Sequence, residues 1–140
     1  MFKVKDFMVT PVITTTPETP IFDAIRLLAS RNLSGLPVVD HKLHLIGLLS
    51  EKDVLHLFNE HEDSQDMTVQ DLMTAAPVSF EANDSLIDLC DCLEQNSFRR
   101  VPITEERRLI GVVSRSDVIK AILKIKRQAP SDCYAQMGTS

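Results

Sequence analysis

Apolar and polar positions follow one pattern along this chain, and the pattern is written twice. In residues 21–28 the apolar side chains fall at Ile21, Ala24, Ile25 and Leu28; in residues 86–93 they fall at Leu86, Leu89, Cys90 and Leu93. This i, i+3, i+4, i+7 spacing predicts a helix with one buried face in each place. Two short apolar runs follow each helix. Residues 36–39 and 45–49 are split by His41-Lys42, and residues 101–104 and 109–113 by the polar stretch 105–107. They read as strand pairs joined by tight connections. A further helix is predicted after Ser50 and after Ser114. Each unit opens with a short amphipathic stretch, residues 4–8 or 69–73, and continues into a Pro-led extended segment, residues 12–14 or 78–80. Thr19 is the expected N-cap of the first long helix, with Pro20 at its first helical position. Asp84 and Ser85 stand in the same two places in the second unit.

The repetition extends to the letters. Asp6-Phe7-Met8 returns as Asp71-Leu72-Met73, and Leu36-Pro37-Val38 as Val101-Pro102-Ile103. The segment from Ile46 to Leu55 returns as the segment from Ile110 to Ile119. The fold class is therefore α/β. It comprises two tandem repeats, each a small sheet packed against two helices, related by a pseudo-twofold in which each copy buries the apolar face its twin leaves open. The repeats are expected at residues 1–59 and 69–127, with an acidic linker at 60–68 and a loose tail at 128–140. Units of about 60 residues are marginal alone, so the two should fold as one body.

Composition narrows the function. The 140 residues carry a net charge of −5, which argues against a nucleic-acid surface. No apolar run approaches the roughly 20 residues of a membrane helix. The first residues lack the apolar stretch of a signal peptide, so a soluble, cytoplasmic chain is expected. Three cysteines do not make a disulfide framework. Cys90 and Cys92 align with Ile25 and Leu27 and read as small buried hydrophobes rather than a metal or redox pair. Cys133 falls in the tail as a free thiol. His41 and His44 flank a strand connection without a third ligand nearby, so no metal site is expected.

No nucleophile–base pair or Gly-rich phosphate loop is present in the sequence. What recurs is an apolar strand that begins near a glycine and ends in Ser, followed after two residues by Asp at the mouth of a helix. One reading is a capping box, in which the Ser hydroxyl and the acid satisfy orphan N–H groups. The other is a diol receptor. A carboxylate accepts two hydrogen bonds from vicinal ribose hydroxyls, and a helix N-terminus favours phosphate.

At these residues the chain resembles a known family. Gly47-Leu48-Leu49-Ser50-Glu51-Lys52-Asp53 and Gly111-Val112-Val113-Ser114-Arg115-Ser116-Asp117 are similar to the G-h-h-[ST]-x-x-D motif of cystathionine-β-synthase (CBS) domains. Phe7-Met8-Val9-Thr10-Pro11 and Leu72-Met73-Thr74 resemble the opening of those domains, and residues 33–40 their central strand. The resemblance implies a tandem pair, or Bateman module. Such a module is a non-enzymatic regulator that dimerises through its helices and senses AMP, ADP, ATP or S-adenosylmethionine for a partner enzyme or transporter. No cofactor is implied beyond that regulatory ligand. Carried over by position, Asp117 is the ribose-binding acid, Ser114 the adjoining hydroxyl and Ser116 a further contact. Arg99 and Arg100 match basic phosphate positions, for which a planar guanidinium is well suited. Ser34 and Gly35 are the small residues facing that cleft, and Val12 packs on adenine. A second nucleotide site would use Ser50, Lys52, Asp53 and Val78, without an equivalent arginine pair. The alternatives are a ligand-independent dimeric scaffold whose Ser/Asp pairs only cap helices, an enzyme, and a DNA-associated regulator.

Overall fold

The computed structural model describes residues 2–58 and 65–127. Part of the expected linker, the expected tail and Cys133 lie outside these described residues. The elements run in order as α1 (Ile21–Arg31), β1 (Gly35–Val39), β2 (Leu45–Ser50), α2 (Glu51–Leu55), α3 (Val69–Leu72), β3 (Thr74–Ala75), β4 (Phe80–Glu81), α4 (Leu86–Gln95), β5 (Arg100–Glu105), β6 (Arg108–Ser114) and α5 (Arg115–Arg127). Short 3-10 turns occupy Val4–Asp6 and His56–Phe58.

The two hairpins are superposable in register. Gly35 opposes Ser50 in β1–β2, and Arg100 opposes Ser114 in β5–β6. Both pairs carry an irregularity at the same place, Val38/Val39 and Ile103/Thr104. The hairpin ends meet across the pseudo-twofold. The Leu45 N–H donates to the Arg107 carbonyl at 3.1 Å, and the Leu109 N–H donates to the Leu43 carbonyl at 2.9 Å. Asp40 organises the first hairpin end by accepting from the N–H groups of Lys42 and His44 at 2.8 and 3.0 Å. Burial works against its ionisation, but those N–H groups and the imidazoles of His44 and His41 outweigh it and hold the carboxyl below its ordinary range.

Each repeat lends its opening segment to the other. Val4 is fully buried in the core formed by Leu86, Leu89, Val101, Ile103 and Val113 of the second repeat. Val69 is fully buried in the core of Ile21, Ala24, Leu36, Val38 and Leu49 of the first. The backbone bonds repeat this exchange. Val4 N–H donates to the Asp84 carbonyl and Val69 N–H to the Thr19 carbonyl, both at 2.9 Å. The sheets share it as well: β3 pairs antiparallel with β2, while Val9 bridges Val112 on β6. The motif glycines follow from this packing. A Cβ on Gly111 would come within 2.5 Å of Met8 Sδ, and one on Gly47 within 2.5 Å of Met73 Sδ.

The exchange also corrects the expected helix starts. α1 begins at Ile21, Pro20 is its N-cap without a side-chain bond, and the Thr19 hydroxyl pairs with that of Thr16 at 2.7 Å. The Ile21 N–H instead donates to the Met67 carbonyl at 2.9 Å, so the acceptor comes from the linker that leads into the second repeat. In α4 the N-cap is Ser85, which accepts from the Ile87 N–H at 3.1 Å. Asp84 accepts from the Glu81 N–H, and Leu86 N–H donates to the Phe2 carbonyl. Cys90 packs partly buried on the second core, where burial and then Asp91 push its thiol up. Among the described residues no cluster of three or more His, Cys, Asp or Glu could hold a metal. Among those residues, too, no helix is long and apolar enough to cross a membrane.

Candidate functional site

Both recurrent Ser/Asp pairs form complete capping boxes. Asp117 Oδ2 accepts from the Ser114 N–H and hydroxyl, each at 2.8 Å, while Ser114 Oγ accepts from the Asp117 N–H at 3.2 Å. Asp53 and Ser50 repeat this at 2.8, 2.9 and 3.2 Å. The shorter Asp side chain thus closes the box as a Glu would.

The two acids differ at their other oxygen. Asp53 Oδ1 accepts from the Thr74 hydroxyl at 3.3 Å. In the second repeat Val9 occupies the Thr74 position, since Thr74 pairs with Leu48 and Val9 with Val112. Valine has no donor, and among the described residues no hydrogen bond reaches Asp117 Oδ1. One carboxylate oxygen, with lone pairs free for a diol, is therefore left at Asp117 and engaged at Asp53.

A cleft of about 390 Å³ spans the two repeats. It is lined by Asn32, Leu33, Ser34 and Glu51 from the first and by Arg99, Arg100, Ser114, Arg115 and Ser116 from the second. Three arginines against one glutamate make it cationic. The N-terminus of α5 opens into it, adding a partial positive charge. Ser116 Oγ lies 2.9 Å from Ser114 Oγ. A smaller depression of about 170 Å³ is lined by Phe7, Asp117, Lys120, Ala121 and Lys124.

The structure therefore brings five expected residues into one cleft: Ser34, Arg99, Arg100, Ser114 and Ser116. Asp117 is tied to that cleft through Ser114. Gly35 opens β1 opposite Ser50 and does not line the cleft. Val12 is half-buried and Val78 about half exposed, and neither lines either space. Ser50, Lys52 and Asp53 also lie outside both.

Arg115 was not singled out by sequence reasoning, because it fills an unspecified position of the motif. Its Nε donates to the Phe98 carbonyl at 2.8 Å, and its Nη2 to the Asn96 and Leu93 carbonyls at 2.9 and 3.4 Å. Its own N–H donates to the Arg99 carbonyl at 3.0 Å. Arg115 thus holds the irregular chain that delivers Arg99 and Arg100. The first repeat has Glu51 there and closes α1 differently. Asn32 takes the left-handed conformation at φ 54° and donates to the Ala29 and Leu28 carbonyls. The contrast of Glu51 with Arg115 was the available signal.

A family model for the CBS domain matches residues 4–60 and again residues 69–124. The chain belongs to the CBS-domain family. The CBS domain-containing protein CBSX2 of Arabidopsis thaliana is 32% identical, with 91% of this chain and 66% of that protein covered. YhcV of Bacillus subtilis is 34% identical, with 84% of each chain covered. The chain thus spans about two thirds of the length of CBSX2, and 59% of its relative CBSX1. A crystal structure of CBSX2 in complex with AMP superposes with a TM-score of 0.81 at 33% identity, covering 90% of this chain and 99% of that one. The CBS pair of protein MJ0100, at 22% identity and a TM-score of 0.74, shares the fold. CBSX2 is described as chloroplastic, so the cytoplasmic placement expected from the sequence does not follow from the family.

Proposed function

We propose that this CBS pair is a regulatory module that binds an adenine nucleotide reversibly, works as a homodimer, and transmits its occupancy to a partner enzyme or transporter without turnover of its own. One observation carries the reading. A cationic cleft gathers Arg99, Arg100, Ser114 and Ser116 against Ser34, beside a carboxylate whose second oxygen is uncommitted. In this reading Asp117 takes the ribose hydroxyls, and Arg99 and Arg100 take phosphate as charge-assisted pairs. The solved AMP complex of CBSX2 supports an adenine ligand for a chain of this similarity. Val12 is assigned to adenine by its position in the opening segment alone, since it lines neither space. The site around Ser50, Lys52, Asp53 and Val78 is secondary, because Asp53 is already bonded to Thr74 and no arginine pair stands near it in sequence.

The regulatory mechanism is a population shift. Ligand favours one arrangement of the two repeats, or of two protomers, by no more than its differential affinity for the two. A ligand-independent dimeric scaffold is the second reading, favoured by the completeness of both capping boxes. Calorimetry with AMP, ADP, ATP, S-adenosylmethionine and adenosine separates the two. The sensor reading expects one nucleotide bound per chain, with the phosphorylated ligands tighter than adenosine. The scaffold reading expects no heat from any of the five.

A further inference from the structure

Arg115 stands on the wall of the cleft, yet its guanidinium is committed to main-chain carbonyls. Two of those carbonyls belong to the end of α4: Leu93 lies in its last turn, and Asn96 is its C-cap. Asn96 leaves the helix in extended conformation and caps the Cys92 carbonyl, from its N–H at 3.1 Å and its Nδ2 at 2.9 Å. A helix that ends without a left-handed residue leaves further carbonyls to find donors elsewhere. Arg115 reaches them from the start of α5, and a cation there also suits the negative end of the α4 dipole. The first repeat closes its long helix without the cleft. Asn32 is left-handed and donates to the Ala29 and Leu28 carbonyls, and the Leu33 N–H adds a bond to Leu28 at 3.0 Å. The main-chain link of the twin position is kept. Glu51 N–H donates to the Ser34 carbonyl at 3.1 Å, as Arg115 N–H does to that of Arg99 at 3.0 Å. Only the side chain differs, so α1 is closed by its own continuation and α4 by a residue of the cleft.

We infer that Arg115 is a positioning residue for phosphate recognition: it closes α4 from inside the cleft, and by fixing residues 96–98 it holds Arg99 and Arg100 where they meet the ligand. The Phe98 carbonyl accepts from Arg115 Nε at 2.8 Å, one residue before Arg99. Arg99 and Arg100 are both exposed at the cleft, so their placement depends on the main chain beneath them. Arg115 thus acts on the ligand through its neighbours, and its fork matters more than its charge. A planar guanidinium can serve several carbonyls at once in a fixed geometry, which an ammonium cannot. This inference deepens the nucleotide-binding reading of the cleft and rests on it for the phosphate, whereas the cap on α4 stands without any ligand.

Calorimetry and amide hydrogen exchange on the full chain test it, with Arg115→Lys as the variant. Lysine keeps the charge and loses the fork. Arg115→Lys should weaken AMP about tenfold while adenosine stays within about twofold of wild type, because only the phosphate contacts depend on the brace. Combined with Arg100→Ala, its effect on AMP should be less than additive, since the brace has less to hold once that arginine is gone. Without ligand, Arg115→Lys should speed exchange in residues 93–99 about tenfold and leave residues 29–35, the end of α1, unchanged. AMP affinity kept in Arg115→Lys would make the charge alone sufficient and overturn the inference. Equal losses of AMP and adenosine would overturn it too, by making Arg115 a support of the whole fold, as would additivity with Arg100→Ala or unchanged exchange in residues 93–99. A wild type that binds no AMP overturns the nucleotide reading and the phosphate role with it, and the ligand-free exchange contrast then decides the cap on its own.

Discussion

Arg100 shows how a single position in the register sets a chemical role. It opens β5 directly opposite Ser114, so the strand pairing fixes its Cα beside the motif hydroxyl. Its neighbours Val101 to Thr104 are buried, whereas Arg100 itself is exposed at the cleft. A charge-assisted bond to phosphate contributes about 1.5–3 kcal/mol. Arg100→Ala should therefore weaken AMP about ten- to a hundredfold and leave adenosine nearly unchanged, as read by calorimetry. Equal losses for both ligands would make Arg100 a support of the fold instead. The Ser/Asp pairs and the arginine pair could be read from the sequence, because repetition marked the first and position marked the second. The inequality of the two acids could not. It depends on Thr74 reaching Asp53 from the exchanged segment, across 21 residues of sequence and between the repeats, where the twin position holds Val9.

At the scale of elements, the hairpins and long helices were readable because their apolar spacing is local. The structure places β1, β2, β5 and β6 within a residue or two of the expected runs. The opening segments were different. A stretch such as residues 69–73 has the same amphipathic pattern whichever repeat it docks on, so the exchange leaves no local mark. It also explains why neither α1 nor α4 starts on the expected cap: the acceptor is a carbonyl of a distant segment, Met67 of the linker for α1 and Phe2 of the first repeat for α4. Val69 is the test of this exchange. It is fully buried in the core of the first repeat although its sequence belongs to the second. Val69→Ala should cost about 2 kcal/mol by lost transfer and cavity terms. It should lower one cooperative denaturant transition rather than split off the second repeat. A separate, earlier transition of the second repeat alone would mean that the exchange does not couple the cores.

Across the whole molecule, near-identical frames carry unequal chemistry. The pseudo-twofold preserves register, capping boxes and core, yet three substitutions break it around the proposed site: Thr74 for Val9, Glu51 for Arg115, and Ser34-Gly35 for Arg99-Arg100. In the proposed function all three favour the second-repeat motif as the one that would hold ligand. Because the cleft is lined from both repeats, a ligand in it contacts both bodies at once, as a population shift between their arrangements requires. The most direct measurement is AMP calorimetry on Asp117→Ala beside Asp53→Ala. Each variant removes one capping acid, so each should lose a similar stability of about 1 kcal/mol. The account predicts that Asp117→Ala abolishes AMP binding while Asp53→Ala binds within a few-fold of wild type. Unchanged affinity in Asp117→Ala, with only the loss of stability, would contradict it and leave both pairs as helix caps.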